Sequence, residues 1–241
     1  MRTLLCIALA GLAACGESTF IAKPLGELVL AGPLARSTSV RALLLPPSES
    51  LIWDVRAGGM TIGRAELDIG DADTHSRFST SSLASMFTSI HHELVTTLDR
   101  AAARPNAATE TVVEGGETTR SEVAFDGNGY TLDGAARVAL PDGNAAHTIH
   151  SALGWMRAWA APTAAPSYLY VLEDRQLFRI DLERPIPEDL RGVDTLRIDG
   201  RIHTADATIA ITIWLTADGD RRPVRIAIVA ARLHLTAELV S

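Results

Sequence analysis

Residues 50–69 have the sequence SLIWDVRAGGMTIGRAELDI, in which apolar and polar side chains alternate on either side of a pair of glycines. Leu51, Trp53 and Val55 fall on one face of an extended segment, because successive side chains of a strand point to opposite faces. The glycines supply the positive φ that a tight reversal requires. The stretch therefore predicts a β-hairpin that opens a run of antiparallel strands continuing to the C-terminus.

The rest of the chain repeats this alternating pattern in short segments. In residues 208–215, for example, Ile209, Ile211, Ile213 and Leu215 share one face. Further strands are predicted at 77–83, 92–98, 109–114, 118–125, 168–172, 177–182, 195–203, 224–229 and 233–239. Short strands separated by regular turns are typical of an antiparallel sheet or barrel. The predicted fold class is all-β and mainly antiparallel, a strongly curved sheet or open β-barrel.

One segment departs from the strand pattern. Between His147 and Ala160, apolar residues recur at steps of three and four, which places them on one side of a helix. That side carries Ile149, Ala152, Leu153, Met156 and Ala160, with Trp155 and Trp159 beside it. His150, Gly154 and Arg157 occupy the opposite side, which is expected at the helix surface. The sequence therefore predicts one short amphipathic helical insertion in the β fold.

The N-terminal segment predicts export. Arg2 gives the chain a positive head and residues 4–12 are apolar, which is the order of a secretory signal peptide. The apolar run is shorter than the ~20 residues that a spanning helix needs. The residues Leu-Ala-Ala-Cys at 12–15 resemble the bacterial lipobox, in which diacylglycerol is joined to the cysteine and the chain is cut before it. Lipidation of Cys15 is predicted, and the alternative is that Cys15 only adjoins an ordinary cleavage site.

Three segments follow from this interpretation: a signal peptide at 1–14, a lipidated tether at 15–42 and a single antiparallel β domain at 43–241. Prolines interrupt the tether and favour extended chain there, while the apolar residues 43–45 are expected to lie on the domain. The two cysteines are Cys6, in the segment to be removed, and Cys15, so no disulfide is expected. Gly16 after the cysteine resembles lipoproteins exported to the outer membrane, which suggests a periplasm-facing envelope location.

Charge excludes one class of partner. The formal net charge is −7 at pH 7 and no run of basic residues occurs. A polyanion such as nucleic acid would be repelled by this surface. The expected partners are instead the membrane, through the lipid anchor, and an apolar small molecule or acylated protein.

Several short motifs together resemble the bacterial exported family called domain of unknown function 3108. They are Trp53-Asp54-Val55 followed by Gly59 and Ile62-Gly63, a central helix near Ala152-Leu153, and Trp214-Leu215 followed by Arg222-Pro223-Val224-Arg225-Ile226. The resemblance covers roughly residues 51–239. It implies a curved antiparallel sheet or open barrel with a small helical insertion, and no established activity. This chain departs from the pattern by having Trp53 where the family usually has tyrosine.

The sequence contains no complete catalytic, metal-binding or cofactor-binding motif. His92-Glu93 begins like a metalloprotease helix motif, but Thr96 stands where the second histidine would be and the segment is strand-like. It is therefore expected to be a hydrated strand with a half-exposed histidine pair. His147 and His150 are expected to be solvated at a helix surface rather than to bind metal. The protein is accordingly predicted to be no enzyme and to use no metal or cofactor.

The remaining functional feature is the inner surface of the curved sheet. One short helix is a small cover for such a sheet, so an apolar cavity is expected beneath it. The predicted ligand-binding residues are Trp53, Ile149, Leu153, Trp155, Met156, Trp159 and Trp214. The alternative is that the tryptophans are ordinary core. If the helix is a lid, alanine at Trp155 or Trp159 weakens binding and lowers stability only modestly.

Two functions are consistent with these observations. The first is a non-enzymatic, lipid-anchored envelope protein that binds an apolar ligand or an acylated protein in its curved sheet, by analogy with the lipoprotein carriers LolA and LolB. The second is a structural adaptor lipoprotein whose sheet edge docks a partner in an outer-membrane assembly. An apolar cavity under the helix favours the first, and a filled interior favours the second.

Overall fold

Strands β1 (Glu49–Ala57) and β2 (Met60–Ile69) form the hairpin predicted from residues 50–69 in the computed structural model of the chain. Gly58 and Gly59 make the turn with φ of 56° and 86°, a conformation that residues with a Cβ rarely adopt. Trp53 and Leu67, one from each strand, are both buried. The hairpin prediction is confirmed.

The structure describes residues 38–82, 84–86, 88–140, 144–204, 207–230 and 233–240. The predicted signal peptide, Cys15 and most of the predicted tether lie outside these residues. Thr38 donates its backbone N–H to Ser167 Oγ at 3.0 Å, and Leu43 and Leu45 belong to the main hydrophobic core. The apolar segment 43–45 therefore lies on the domain, as expected, while the domain bounds stay a prediction.

Sixteen strands of the described residues form one sheet. After the hairpin, the chain forms β3 (Asp73–Thr80), β4 (Ile90–Asp99), β5 (Arg104–Glu114), β6 (Glu117–Phe125), β7 (Gly129–Leu132), β8 (Val138–Ala139) and β9 (Ala146–His147). The second half forms β10 (Ser167–Glu173), β11 (Gln176–Leu182), β12 (Ile186–Leu190), β13 (Val193–His203), β14 (Thr208–Thr216), β15 (Pro223–Ala230) and β16 (Leu233–Leu239). A short 3₁₀ turn covers Ala84–Met86.

Sequential strands are neighbours through most of the sheet, whose order is β8-β7-β6-β5-β4-β3-β2-β1-β16-β15-β14-β13-β11-β10-β9. The strand β12 pairs beside β11 on the same edge of β13. Among the described pairings, only β9 with β10 is parallel. The predicted all-β, mainly antiparallel fold class is confirmed.

The sheet curls strongly. The strands β5 and β10 lie far apart in the sheet order, yet the backbone N–H of Asp174, which follows β10, donates to Oε2 of Glu110 on β5 at 3.0 Å. This contact is made only because the two halves of the sheet bend toward each other. We call the region where β4 and β5 approach β10 the seam.

The predicted insertion is helix α1 (Ile149–Trp159). Thr148 caps its N-terminus: its hydroxyl accepts from Ser151 N–H, and Ser151 Oγ accepts from Thr148 N–H, which satisfies two backbone donors at the helix start. The helix is eleven residues long, shorter than the predicted segment. None of the helices in the described ranges has the length and apolar character needed to cross a bilayer.

The expectation that one side of the helix faces solvent is wrong. His150, Gly154 and Arg157 are all buried. A Cβ at Gly154 would lie 2.7 Å from Leu45 Cγ, so the glycine permits the segment 43–45 to pack directly on the helix. Leu44 also donates its N–H to the Gly154 carbonyl at 3.0 Å. The helix is therefore covered on both sides, by the concave sheet and by the segment that precedes β1.

The strands β7, β8, β9 and β12 were not predicted, and the sequence of β12 argues against a sheet. β12 contains Pro187, which cannot donate a ladder hydrogen bond and is therefore confined to sheet edges. The structure is consistent with this rule, since β12 pairs with β13 alone.

Candidate functional site

An apolar cavity of about 220 Å³ lies between helix α1 and the concave face of the sheet. The strands β1 to β4, β10, β11 and β13 to β16 contribute its walls together with the helix. Strand alternation produces this lining: Ile211 and Ile213 of β14 point inward and line the cavity, while Thr212 between them donates its hydroxyl outward to Asp199. The expected cavity beneath the helix is therefore present.

Four of the seven predicted ligand-binding residues line this cavity: Trp53 from β1 and Ile149, Leu153 and Met156 from the helix. Trp53 donates its indole N–H to the Pro223 carbonyl at 2.9 Å, which fixes the ring in place. The three helical residues are on the apolar side defined by the sequence. Ligand binding by these residues stays a prediction, but the structure brings all four to one site.

The other three predicted residues lie elsewhere. Trp155 and Trp159 stack on each other with ring centroids 5.7 Å apart, are 4% and 5% exposed, and do not line the cavity. Trp214 points to the outer face of the sheet, where its indole N–H donates to Glu188 Oε1 at 3.0 Å. The Arg225 guanidinium lies over its ring at 5.0 Å. Their geometry is that of core and outer-face packing.

A group of polar side chains lies along one side of this otherwise apolar cavity. His150 of the helix lines it and hydrogen-bonds through Nδ1 to Thr96 Oγ1 at 2.9 Å and through Nε2 to Ser76 Oγ at 2.8 Å. His147, just before the helix, contacts Ser151 Oγ at 3.3 Å. The helix therefore attaches to β3 and β4 through buried hydrogen bonds as well as apolar contacts.

Both histidines differ from the predicted solvated pair. His147 is 5% and His150 is 2% exposed. Burial lowers the pKa of His147 to about 4. Burial, with the nearby His92 and His75 acting in the same direction, lowers the pKa of His150 to about 3. Both imidazoles are therefore neutral at pH 7.

His92 is likewise not the half-exposed residue predicted from its sequence context. It is 3% exposed, and its Nε2 lies 2.9 Å from Glu110 Oε1. The register pairs His92 with Val112, so Glu110 is the diagonal neighbour on the same face of the next strand. Strand pairing could have suggested this contact, because β4 and β5 are consecutive in the sequence.

The half-buried Glu173 of β10 completes a polar group that was not predicted from the sequence. One ligand atom each from His92, Glu110 and Glu173 lies within 4.8 Å of the others; we call these residues the His–Glu cluster. Burial raises the pKa of Glu173, with the Glu110 carboxylate acting in the same direction. His92 and Glu173 also line the cavity, so the cluster lies where the cavity meets the seam. These three residues could hold a metal ion.

Comparison with known proteins supports the fold. No protein-family model and no curated protein matches the chain. Among solved structures, a β-barrel-like protein of domain of unknown function DUF1849 from Brucella abortus superimposes with a TM-score of 0.58 at 11% identity, covering 84% of this chain and 98% of the other. A DUF1089 protein from Pseudomonas aeruginosa gives 0.43 at 13% identity, covering 80% and 92%. The lipoprotein LppX of Mycobacterium tuberculosis gives 0.29 at 12% identity, covering 79% and 84%.

These similarities bear on the resemblance to domain of unknown function 3108. That particular family is not shown by the comparisons. The superposition on the DUF1849 protein supports the curved, barrel-like sheet that the resemblance implies, and the other two superpositions are too loose to define a shared fold. The chain is similar in fold to a β-barrel-like protein of a domain of unknown function.

Proposed function

We propose that this protein is a non-enzymatic envelope protein that binds an apolar ligand, such as an acyl chain, in the cavity under helix α1. The observation that carries the proposal is the cavity itself: about 220 Å³ of space walled by ten strands and the helix, mostly through apolar side chains. A well-packed interior leaves few voids larger than a water molecule. Space of this size beneath the helix therefore supports ligand binding rather than packing alone.

The size of the cavity indicates the class of ligand. An apolar cavity of about 150 Å³ stays dry and takes up benzene. The cavity here is larger, so it accommodates a small apolar molecule or one segment of an acyl chain. Each methylene group transferred from water into such a site contributes about 0.8 kcal/mol.

The adaptor function has less support from the geometry. Docking by strand addition requires an exposed edge with a row of free backbone groups. The terminal strands of the described sheet, β8 and β9, are two residues long each, and the further edge strand β12 has five residues, of which Pro187 has no N–H to donate. The cavity, by contrast, is the feature that the carrier hypothesis requires.

The location is the second part of the proposal. The order of positive head, apolar run and Leu-Ala-Ala-Cys supports anchoring of the chain through Cys15 to the outer membrane, facing the periplasm. A tether of this kind would hold the cavity near a source of acyl chains.

The test is binding of a fluorescent fatty-acyl probe to the purified full chain. Leu153→Trp adds an indole where Leu153 lines the cavity and is expected to weaken probe binding at least about tenfold, since space and apolar contacts are lost together. Ile186→Trp adds the same ring on β12, where Ile186 is 47% exposed, and is expected to leave binding unchanged.

Equal probe affinity in the wild type and Leu153→Trp, with both chains folded by circular dichroism, would place the binding site outside the cavity. An equal loss of probe affinity in Leu153→Trp and Ile186→Trp would also show that the loss is not specific to the cavity.

A further inference from the structure

The His–Glu cluster joins two distant parts of the sheet. His92 and Glu110 come from β4 and β5, and Glu173 comes from β10 on the other side of the seam. The side chains of His92 and Glu110 are 4% and 9% exposed. Three potential ligand atoms within 4.8 Å of one another, from three strands, converge at a place that little water reaches.

The charges of these three side chains do not balance. Two carboxylates, one of them on the half-buried Glu173, lie beside one imidazole, so the charges balance only if Glu173 takes up a proton, the direction in which its pKa is raised, or if the site takes up a cation. An uncompensated buried charge is costly, and buried charges are usually paired or coordinate metals. A divalent cation with two carboxylates and a neutral imidazole gives a site of zero net charge.

The two carboxylates of the cluster differ in their hydrogen bonds, and the difference is consistent with metal binding. Oε2 of Glu110 accepts from the Asp174 backbone N–H at 3.0 Å and lies 3.5 Å from the Ser121 hydroxyl, so this carboxylate is held in one orientation. Within the residues that the structure describes, Oε1 of Glu173 is buried and has no hydrogen-bond partner. In metal sites, hydrogen-bond partners typically orient the metal-binding carboxylates, as Asp174 and Ser121 do for Glu110. The free Oε1 of Glu173 is then available to bind the ion.

We propose that His92, Glu110 and Glu173 form a divalent metal site, with Zn²⁺ as the best match. Imidazole nitrogen with carboxylate oxygen is a ligand set that zinc accepts, and sites with three protein ligands keep a further position open. Because His92 and Glu173 also line the cavity, the open position is accessible to a molecule in the cavity. This inference does not depend on the identity of the apolar ligand.

The proposal reverses the expectation that the protein binds no metal. That expectation was based on motifs with short spacing, whereas these residues are brought together by tertiary structure. Glu110 is eighteen residues from His92. Glu173 is in a strand at the far end of the sheet order.

The experiment measures metal binding by the purified full chain after treatment with a chelator. Equilibrium dialysis against Zn²⁺ is expected to give one bound ion per chain. Glu173→Gln keeps the shape of the side chain and removes its charge, and is expected to raise the Kd for Zn²⁺ at least about tenfold, as loss of even an outer partner does in known sites. Glu93→Gln on the same strand β4 is the matched control, because Glu93 points away from the cluster and pairs with His75 at 2.7 Å.

A second measurement needs no variant. X-ray absorption at the zinc edge of the loaded wild-type chain is expected to show one imidazole and oxygen ligands at about 2.0–2.2 Å. The proposal is overturned if the chain binds no stoichiometric Zn²⁺, if Glu173→Gln binds as tightly as Glu93→Gln, or if the spectrum shows no imidazole. Any of these results would leave the cluster as a hydrogen-bonded His92–Glu110 pair beside Glu173.

Discussion

Arg157 shows how a single residue in the helix holds separate parts of the chain together. Its side chain is 0% exposed. The guanidinium donates to both carboxylate oxygens of Glu49 at 2.5 and 3.2 Å and to the Asp220 carbonyl at 2.9 and 2.6 Å. It thus links helix α1 to the start of β1 and to the turn before β15. The planar fork of arginine matches this arrangement, and lysine would not reproduce it.

Arg157→Ala is expected to lower the free energy of unfolding by about 3–5 kcal/mol, because it leaves the Glu49 carboxylate without its partner in a mostly buried position. Urea unfolding measures the change. Arg120→Ala is the control: its pair with Glu122 is 63% and 66% exposed, and such pairs contribute about 0–1 kcal/mol. Similar losses in the two variants would show that burial of the Arg157 pair is unimportant.

His150 makes the stability of the fold dependent on pH. Its pKa in the folded chain is about 3, below the ordinary value of 6.5, so the unfolded chain binds a proton that the folded chain does not. The stability from keeping His150 neutral is fully present above pH 6.5 and is lost as the pH falls toward 3. His147, with a pKa of about 4, acts in the same direction. Glu173, whose pKa is raised, acts in the opposite direction.

Between pH 6 and pH 4, the free energy of unfolding of His150→Gln is expected to fall less steeply with decreasing pH than that of the wild type. The expected difference in slope is about 1.4 kcal/mol per pH unit, the contribution of one proton. Urea unfolding at a series of pH values measures the slope. His91→Gln removes an exposed histidine from β4 and is expected to leave the slope as in the wild type. An unchanged slope in His150→Gln would mean that the buried imidazole does not account for the acid sensitivity.

The helix combines two roles at the scale of the element. Its side with Ile149, Leu153 and Met156 lines the cavity. Trp155 and Trp159 are in the main core, and the polar side is covered. A lid that opens freely would have to expose this buried surface. The geometry therefore favours a fixed helix that forms one wall of the cavity, rather than the mobile lid considered from the sequence.

Trp155→Ala is accordingly expected to lower the free energy of unfolding by about 3–5 kcal/mol, the usual cost of truncating a buried tryptophan. The lid hypothesis predicts only a modest loss. Thermal or urea unfolding distinguishes the two, with Trp214→Ala on the outer face as a control that should cost less. A small loss in Trp155→Ala together with weaker probe binding would restore the lid hypothesis.

At the scale of the whole molecule, the curl of the sheet forms both the cavity and the His–Glu cluster. Bending brings β4 and β5 to β10 and leaves an apolar space that one short helix does not fill. The cavity and the His–Glu cluster adjoin each other, so an apolar molecule with a polar end would meet both. The proposed lipid anchor would hold this site beside a membrane.

Cys15→Ser is expected to abolish acylation and to release the chain from the membrane fraction, because the acceptor thiol is lost. Cell fractionation and the intact mass of the mature wild-type chain are the measurements. Cys6→Ser, in the segment expected to be removed, should have no effect on the mature protein. A membrane-bound Cys15→Ser variant, with a wild-type mass that lacks diacylglycerol, would contradict lipidation.

The sequence by itself determined the local structure of this protein. Alternation in residues 50–69 and 208–215 predicted strands, and steps of three and four predicted the helix, because these periods follow from backbone geometry alone. The cavity lining was partly predictable for the same reason, as Trp53, Ile149, Leu153 and Met156 show.

Only the tertiary structure decided which polar residues are buried and which of them meet. On the helix side that appeared polar, the segment 43–45 packs on Gly154, whereas Ser76 and Thr96 hydrogen-bond to His150 and Glu49 and the Asp220 carbonyl hold Arg157. No short-range pattern encodes these contacts. The His–Glu cluster likewise depends on strands that are adjacent only because the sheet curls. Periodicity reports the direction of a side chain relative to its own backbone, whereas burial and contact depend on what the rest of the chain places opposite it.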